Sequence, residues 1–253
     1  MSKTDVVKKE AAGLPAVAMD FAADAMMGFE NVTAKDVAIP YLKILQALSP
    51  ELRGVTKVPG AEEGMVMNTV TNQMMSNFRV IPCAFRKSYV EWTPREAGGG
   101  LVREHDDDSI LSQTKKNERG QDVLPNGNLI VTTAYHYVLV VTESGVERAV
   151  MAMSSTQLKK SRRWLGQQMA IQVKVGDKTF TPPPFSHTYH VATSMETKDT
   201  NSWFGWVIND PQMVTDKDLY ETAKKFGNDV LAGLVKISEP PVEGQVHAED
   251  TPY

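Results

Sequence analysis

One acidic run has side chains suited to holding a divalent cation. It contains Glu104, His105, Asp106, Asp107 and Asp108. Carboxylates that hold magnesium for nucleic-acid hydrolysis are fixed on rigid neighbouring strands. These carboxylates are instead consecutive in a polar loop, which favours a solvated charge cluster. A magnesium-dependent nuclease remains a minor alternative, to be tested by degradation of labelled DNA.

The other candidate ligands and nucleophiles do not form a recognisable site. A zinc site built on paired cysteines is excluded because Cys83 is the only cysteine. His187 and His190 are three residues apart, and in a strand they would point to opposite faces. No glycine-rich phosphate loop and no nucleophile elbow is present. We therefore expect no metal, no cofactor and no enzymatic activity.

Three segments are rich in cations, in aromatic rings or in both. The first is Arg86 to Trp92, which runs into Arg95. In a strand, Lys87 and Tyr89 share one face, whereas Arg86 and Trp92 share the other. We interpret Arg86, Lys87 and Arg95 as one cationic wall of a groove, with Tyr89 and Trp92 as rings on which bases stack.

The second segment, residues 154–164, places four cations within five residues of a predicted helix. These are Lys159, Lys160, Arg162 and Arg163. Such cations repel one another unless an anion is near, and phosphate is the natural anion. The predicted buried stripe of this helix consists of Leu158, Leu165 and Met169. The alternative interpretation is a solvated helix face.

The third segment, residues 202–206, carries Trp203 and Trp206 on opposite faces of a predicted strand. Cationic grooves and sequence-tolerant stacking rings are what single-stranded nucleic acid requires. The combination therefore predicts single-stranded DNA binding. The alternative is a protein-interaction factor that binds a host or virion protein, because interface hot spots favour the same residue types.

The net charge of −4 conceals an uneven distribution. Residues 211–253 hold eight acidic residues and four lysines, so the rest of the chain is neutral overall. No apolar run is long enough for a membrane span, and a single cysteine suits a reducing compartment. We expect a cytoplasmic protein with an acidic C-terminal tail.

The predicted elements begin with a helix at residues 40–50, where Tyr41, Ile44, Leu45 and Leu48 form an amphipathic stripe. Strands are predicted at Phe78–Phe85, Ser88–Trp92, Leu129–Val141, Val146–Met153, His187–Thr193 and Ser202–Ile208. Helices are predicted at residues 156–171 and from Thr215 onward.

These elements predict an α+β protein with an OB-like small antiparallel β-barrel, an inserted helix and a C-terminal helix. A generic α+β sandwich is the alternative. The predicted divisions are a flexible segment at 1–30, the nucleic-acid-binding domain at 31–236 and the acidic tail at 237–253.

Four segments carry a resemblance to a known family: Pro40–Pro50, Gly60–Gly64, Val90–Gly100 and Ser154–Trp164. They resemble a bacteriophage family of single-stranded-DNA-binding proteins. The resemblance covers most of residues 32–210. It implies a role in phage replication or recombination, in the cytoplasm of the infected bacterial host.

The tail is similar in design to the acidic, aromatic-ended tails of the single-strand-binding proteins of short-tailed phages, which are OB folds. The resemblance implies that the tail binds the phage DNA polymerase or helicase and moderates DNA affinity. Its candidate partner-binding residues are Glu239, Glu243, Glu249, Asp250 and Tyr253. The oligomeric state is open, with a homo-oligomer among the alternatives.

Overall fold

The computed structural model describes residues 24–33 and 36–237. The acidic tail with its five candidate residues, and most of the predicted flexible N-terminal segment, lie outside the described residues. In the part of the chain that is described, no helix is long and apolar enough to cross a membrane.

The described residues are mostly antiparallel β with two α-helices. The strands are β1 (Ala38–Ile39), β2 (Leu42–Ile44), β3 (Val66–Asn68), β4 (Met74–Met75), β5 (Phe78–Trp92), β6 (Leu101–His105), β7 (Lys115–Lys116), β8 (Asp122–Val123), β9 (Leu129–Thr142), β10 (Gly145–Ser154), β11 (Val173–Val175), β12 (Lys178–Phe180), β13 (His187–Lys198), β14 (Asn201–Met213) and β15 (Lys236–Ile237). The helices are α1 (Leu158–Ala170) and α2 (Lys217–Leu231).

The main sheet curls into a half-barrel in which neighbouring strands are antiparallel. Its order at one end is β14-β13-β5-β9-β10, and at the other end β6 flanks β5 while β8 and β7 extend beyond β9. The predicted strands from Leu129 onward are confirmed, each as part of an observed strand. The two strands predicted between Phe78 and Trp92 form one continuous strand, β5.

Both faces of the sheet are buried. Alternate side chains of β9 therefore enter two different hydrophobic cores. Val138 and Val140 face the inside of the half-barrel, where Trp164 of α1 also lies. Tyr137 and Leu139 face the outside, which α2 covers with Ala223 and Phe226. The two helices therefore pack on opposite faces of the sheet.

The prediction of a helix at residues 40–50 is wrong. Leu42–Ile44 forms strand β2, and Tyr41 bridges Val150 of β10. The main-chain N–H of Val150 donates to the carbonyl of Pro40 at 2.9 Å. The apolar spacing matches a helix, but the extended segment buries Tyr41 and Leu45 and leaves Leu48 exposed.

The free edge of β14 is covered by two glutamine side chains. The Gln46 amide accepts from Phe204 N at 2.8 Å and donates to Phe204 O at 2.9 Å, as a neighbouring strand would. Gln157, just before α1, accepts from Trp206 N at 3.1 Å. The seam between β14 and β10 is thus crossed by the segment after β2 and by the start of α1.

Candidate nucleic-acid interface

Helix α1 is fixed to the sheet by a buried polar and aromatic contact. Its buried residues are Ser161 and Trp164. His136 Nε2 lies 2.8 Å from Ser161 Oγ, and the His136 and Trp164 rings are 4.7 Å apart. The predicted stripe is wrong at Met169, which is exposed, and Leu158 is only partly buried. This packing fixes which helix side chains face solvent.

Three of the four predicted helix cations are exposed: Lys159, Arg162 and Arg163. Within the described part of the chain, none of the three forms an ion pair. Lys160 instead pairs with Glu196 of β13, its Nζ lying 2.6 Å from Oε1. Successive helix residues are rotated by about 100°, so Lys160 and Arg162 lie on opposite flanks of α1.

The Arg162 side chain lies near enough to Lys87 of β5 for the two positive charges to interact. A hydrogen bond to Tyr89 raises the pKa of the Lys87 ammonium, and nearby Arg162 partly opposes that rise. The Lys87 Nζ also lies 5.3 Å from the centre of the Tyr89 ring. The Asp108 carboxylate also lies near enough to raise the pKa of Lys87. The structure thus brings a cation of the first predicted segment beside a cation of the second.

An aromatic residue that sequence reasoning missed lies in the same place. Phe85 is 40% exposed and shares a face of β5 with Lys87. Its ring is 5.1 Å from that of His136, which in turn contacts Trp164. Phe85 is the outer end of a row of packed rings that continues inward through His136 and Trp164 to Tyr189. The sequence could have indicated this position, because Phe85 lies two residues before Lys87 and so on the same face of a strand.

Arg86 and Arg95, the other two cations of the first predicted segment, do not lie with Lys87 beside α1. Arg86 points to the other face of β5 and forms an ion pair with Asp106. Arg95 lies in the turn after β5, beyond Trp92, which is itself about 17 Å along the strand from Lys87. The prediction of one wall containing Arg86, Lys87 and Arg95 is therefore wrong, and only Lys87 adjoins α1.

The predicted stacking rings are mostly inside the protein. Tyr89, Trp92 and Trp206 are no more than 5% exposed, and each packs within a hydrophobic cluster. They offer no free face to a base, so the prediction that their rings are exposed is wrong. Trp203 is half-buried and lies opposite Glu196, on the Lys160 side of α1.

The acidic run is used in local structure. Asp106 pairs with Arg86, and Asp107 caps the following turn by accepting from Ser109 N at 2.8 Å. Glu104 accepts from the Tyr135 hydroxyl at 2.9 Å. Among the described residues, no three His, Cys, Asp or Glu side chains are grouped to hold a metal ion.

A buried carboxylate that the sequence did not single out fixes the far end of the sheet. Glu91 is 3% exposed and accepts from Asn128 Nδ2 at 2.7 Å and Arg103 Nε at 3.1 Å. His105 Nε2 lies 2.9 Å away. These partners, Asn128 foremost, lower the pKa of the Glu91 carboxyl to about 2. The network joins β5 to β6 and to the turn before β9, and we interpret it as structural.

Comparison with protein families gives one result. The model of the Pam3 phage gp34-like protein family matches residues 7–236. The chain belongs to this family. The match spans both helices and every strand up to the first residue of β15, so the whole curled sheet is part of the Pam3 phage gp34-like unit. No curated protein and no solved structure matches the chain.

Proposed function

We propose that the protein binds single-stranded DNA during phage replication or recombination and catalyses no reaction. The observation that carries this proposal is the convergence of Lys87 with the exposed cations of α1 beside Phe85. Family membership supports a phage role, within the infected bacterial cell.

The charges support a phosphate-binding surface. Lys159, Arg162 and Arg163 project from a helix whose other side is fixed by Ser161 and Trp164. Holding such cations close together is unfavourable in the free protein, and a bound polyanion relieves that repulsion. The position of Lys87 extends this cationic surface from the helix onto the sheet.

Phe85 supports base stacking next to these cations. The ring is exposed at one end of the row Phe85–His136–Trp164, so packing against His136 restrains it before a ligand arrives. Burial lowers the pKa of His136 to about 3, and the neutral imidazole adds no charge beneath the ring. A restrained ring loses little freedom on stacking, which favours affinity.

The strand order supports the finer proposal of an OB-type barrel. An OB fold is a three-stranded meander, a helix and a hairpin whose first strand returns to pair with the first strand of the meander. Here β5, β9 and β10 form the meander, α1 follows, and β13 of the β13–β14 hairpin pairs with β5. The insertion between β5 and β9 corresponds to a long first loop, where OB folds often contact nucleic acids.

The acidic tail completes the proposal. Glu239, Glu243, Glu249, Asp250 and Tyr253 would bind the phage polymerase or helicase and compete with DNA for the cations of α1. Deleting residues 238–253 should therefore strengthen DNA binding at low salt, where electrostatic competition is greatest. Unchanged or weaker binding after the deletion would contradict competition by the tail.

The main test measures fluorescence anisotropy of labelled oligo-dT of about 20 nucleotides, single-stranded or as a duplex with oligo-dA, at several salt concentrations. The triple variant Lys159→Ala, Arg162→Ala, Arg163→Ala should bind the single strand more weakly. Its log affinity should also depend less steeply on log salt, by about 2, since each lost phosphate contact removes about 0.7.

The matched control is Lys217→Ala, Lys224→Ala, Lys225→Ala, which removes three lysines from α2 on the other side of the sheet. It should leave affinity and salt dependence nearly unchanged. Equal losses in both triple variants would mean that only net charge matters, and the site would be rejected. Absence of binding to any oligonucleotide would favour the protein-interaction alternative.

A further inference from the structure

A small hairpin follows α1 directly. Strands β11 and β12 pair from Val173 with Phe180 to Val175 with Lys178, around a two-residue turn. Gly176 in that turn has φ +60°, a conformation that disfavours residues with a side chain. The hairpin begins three residues after Ala170, within about 10 Å of the end of α1.

The base of the hairpin is anchored while its strands project. Ile171 packs against the core inside the half-barrel, and Gln172 Nε2 donates to Thr181 Oγ1 at 2.8 Å. Beyond this base, the hairpin makes at most sparse contacts with the other described strands and helices. An isolated two-stranded hairpin is only marginally stable in water. A hairpin that projects without burying its side chains therefore suggests a contact with another molecule.

The projecting part carries side chains of two kinds. Lys174 and Lys178 are exposed cations, and Val175 and Phe180 are exposed apolar residues. Val175, Lys178 and Phe180 share one face of the hairpin because directly paired residues of an antiparallel ladder lie on the same side. One face therefore combines a cation with an exposed aromatic ring.

Charge argues for a polyanion as the occupant of this face. Between Leu158 and Met195 the chain has six lysines and arginines and only one carboxylate, Asp177. The hairpin continues the excess of positive charge that begins on α1. An apolar protein partner would not require that excess, whereas a nucleic-acid strand would.

We propose that the β11–β12 hairpin is a second contact for the same nucleic-acid strand, with Lys178 on a phosphate and Phe180 on a base, whereas Lys174 lies on the opposite face. This inference rests on the proposed function and adds the path of the strand. Helix α1 is about 20 Å long, so a strand that contacts Lys159 and then the hairpin follows the helix from start to end. Binding should accordingly depend on oligonucleotide length.

The experiment compares oligo-dT of about 6 and about 20 nucleotides by anisotropy, within and beyond the shorter site sizes of OB folds. In Lys178→Ala, affinity for the long strand should fall and its salt slope should flatten by about 0.7. Phe180→Ala should weaken long-strand binding about 5- to 150-fold, the loss expected for one stacked base. The short strand should bind through α1 alone. Its affinity, measured at protein concentrations high enough to detect that binding, should change less than twofold in these variants.

The control is Lys225→Ala on α2, which removes one exposed lysine, and thermal melting confirms that each variant folds. A loss of long-strand affinity confined to the hairpin variants supports the inference. Full long-strand affinity in those variants overturns it, and if the α1 triple variant still loses binding, the proposed function stands without the hairpin. If the wild type binds neither strand, the proposed function fails as well. A changed oligomeric state with unchanged DNA binding would assign the hairpin to contacts between copies and also overturn the inference.

Discussion

His136 of β9 and Ser161 of α1 are joined by a 2.8 Å hydrogen bond between two buried side chains. This bond links a central strand of the main sheet to the helix that presents the exposed cations. An imidazole left without a partner in this position would cost about 1–3 kcal/mol. The position of the candidate interface therefore depends on a polar contact inside the core.

The first prediction is acid sensitivity caused by His136. Burial lowers its pKa to about 3, against about 6.5 for an exposed histidine. Between these values the unfolded chain binds a proton that the folded protein does not. Stability is therefore complete above about pH 6.5 and is lost as the pH falls, by up to about 1.4 kcal/mol per pH unit.

The measurement is urea unfolding at several values between about pH 7.5 and 5.5, in the wild type and in His136→Gln. The variant should be less stable at neutral pH but should lose less stability on acidification. This pH range excludes the titration of Glu91, because its carboxyl is protonated in the unfolded chain only near pH 4.5. Burial also lowers the pKa of His187, so His187→Gln measures the separate contribution of that histidine to the pH slope. Equal pH slopes in wild type and His136→Gln would remove His136 as the cause.

The second prediction concerns Gly166 on the exposed side of α1. A Cβ added there meets no atom within 4 Å, and the residue has ordinary helical backbone. Replacing glycine by alanine inside a helix reduces the entropy lost on folding, so Gly166→Ala should stabilise the protein by about 0.5–1 kcal/mol. Thermal unfolding measures this gain. A destabilised variant would mean that the surroundings of this helix face are not open.

The sequence was informative where burial repeats with a clear period. The hairpin of β9 and β10 and helix α1 were predicted within a few residues because each has a long regular pattern and a turn or cap at its end. The C-terminal helix was predicted to begin at Thr215, and the observed cap is its neighbour Asp216, which accepts from Asp218 N and Leu219 N. Local chemistry was sufficient for these elements.

The sequence was misleading where side-chain environment depends on distant partners. Residues 40–50 have helical spacing, but Tyr41 and Pro40 are extended because they pair with β10 across the barrel seam. Trp92 and Trp206 look like exposed stacking rings on alternating strands, but α1, α2 and the N-terminal strands leave no open sheet face there. Phe85 was missed because its exposure depends on where α1 ends its coverage of the sheet.

The third prediction is that releasing Lys160 strengthens DNA binding. Its ammonium is held by Glu196, whose carboxylate lies across Gly205. Glu196→Gln removes the charge that holds Lys160 and should steepen the salt dependence by about 0.7, the value for one added phosphate contact. Gly205→Ala should act in the same direction, because a Cβ there would collide with the Glu196 carboxylate and displace it.

The control for this prediction is the double variant Glu196→Gln, Lys160→Ala, measured by the same anisotropy titration. It should show no gain over Lys160→Ala alone, because the ammonium that would bind the added phosphate is absent. A gain that survives loss of Lys160 would show that Glu196 acts by general repulsion of DNA. The ion pair is partly exposed, so its loss should cost little stability.

The fourth prediction tests Phe85 as the stacking residue. Phe85→Ala should weaken single-strand binding by about 1–3 kcal/mol, the range for one stacked base, while the salt dependence should stay unchanged because no charge is lost. Phe85→Trp should retain affinity, and its exposed indole should be quenched by oligo-dT. The quenching should exceed that in the wild type, where three of the four tryptophans are buried. Phe180→Trp, on the hairpin, is the matched reporter, since its ring should be quenched by long but not short strands. An indole at position 85 that is insensitive to every oligonucleotide, together with full affinity in Phe85→Ala, would place the DNA away from the Phe85–His136–Trp164 row.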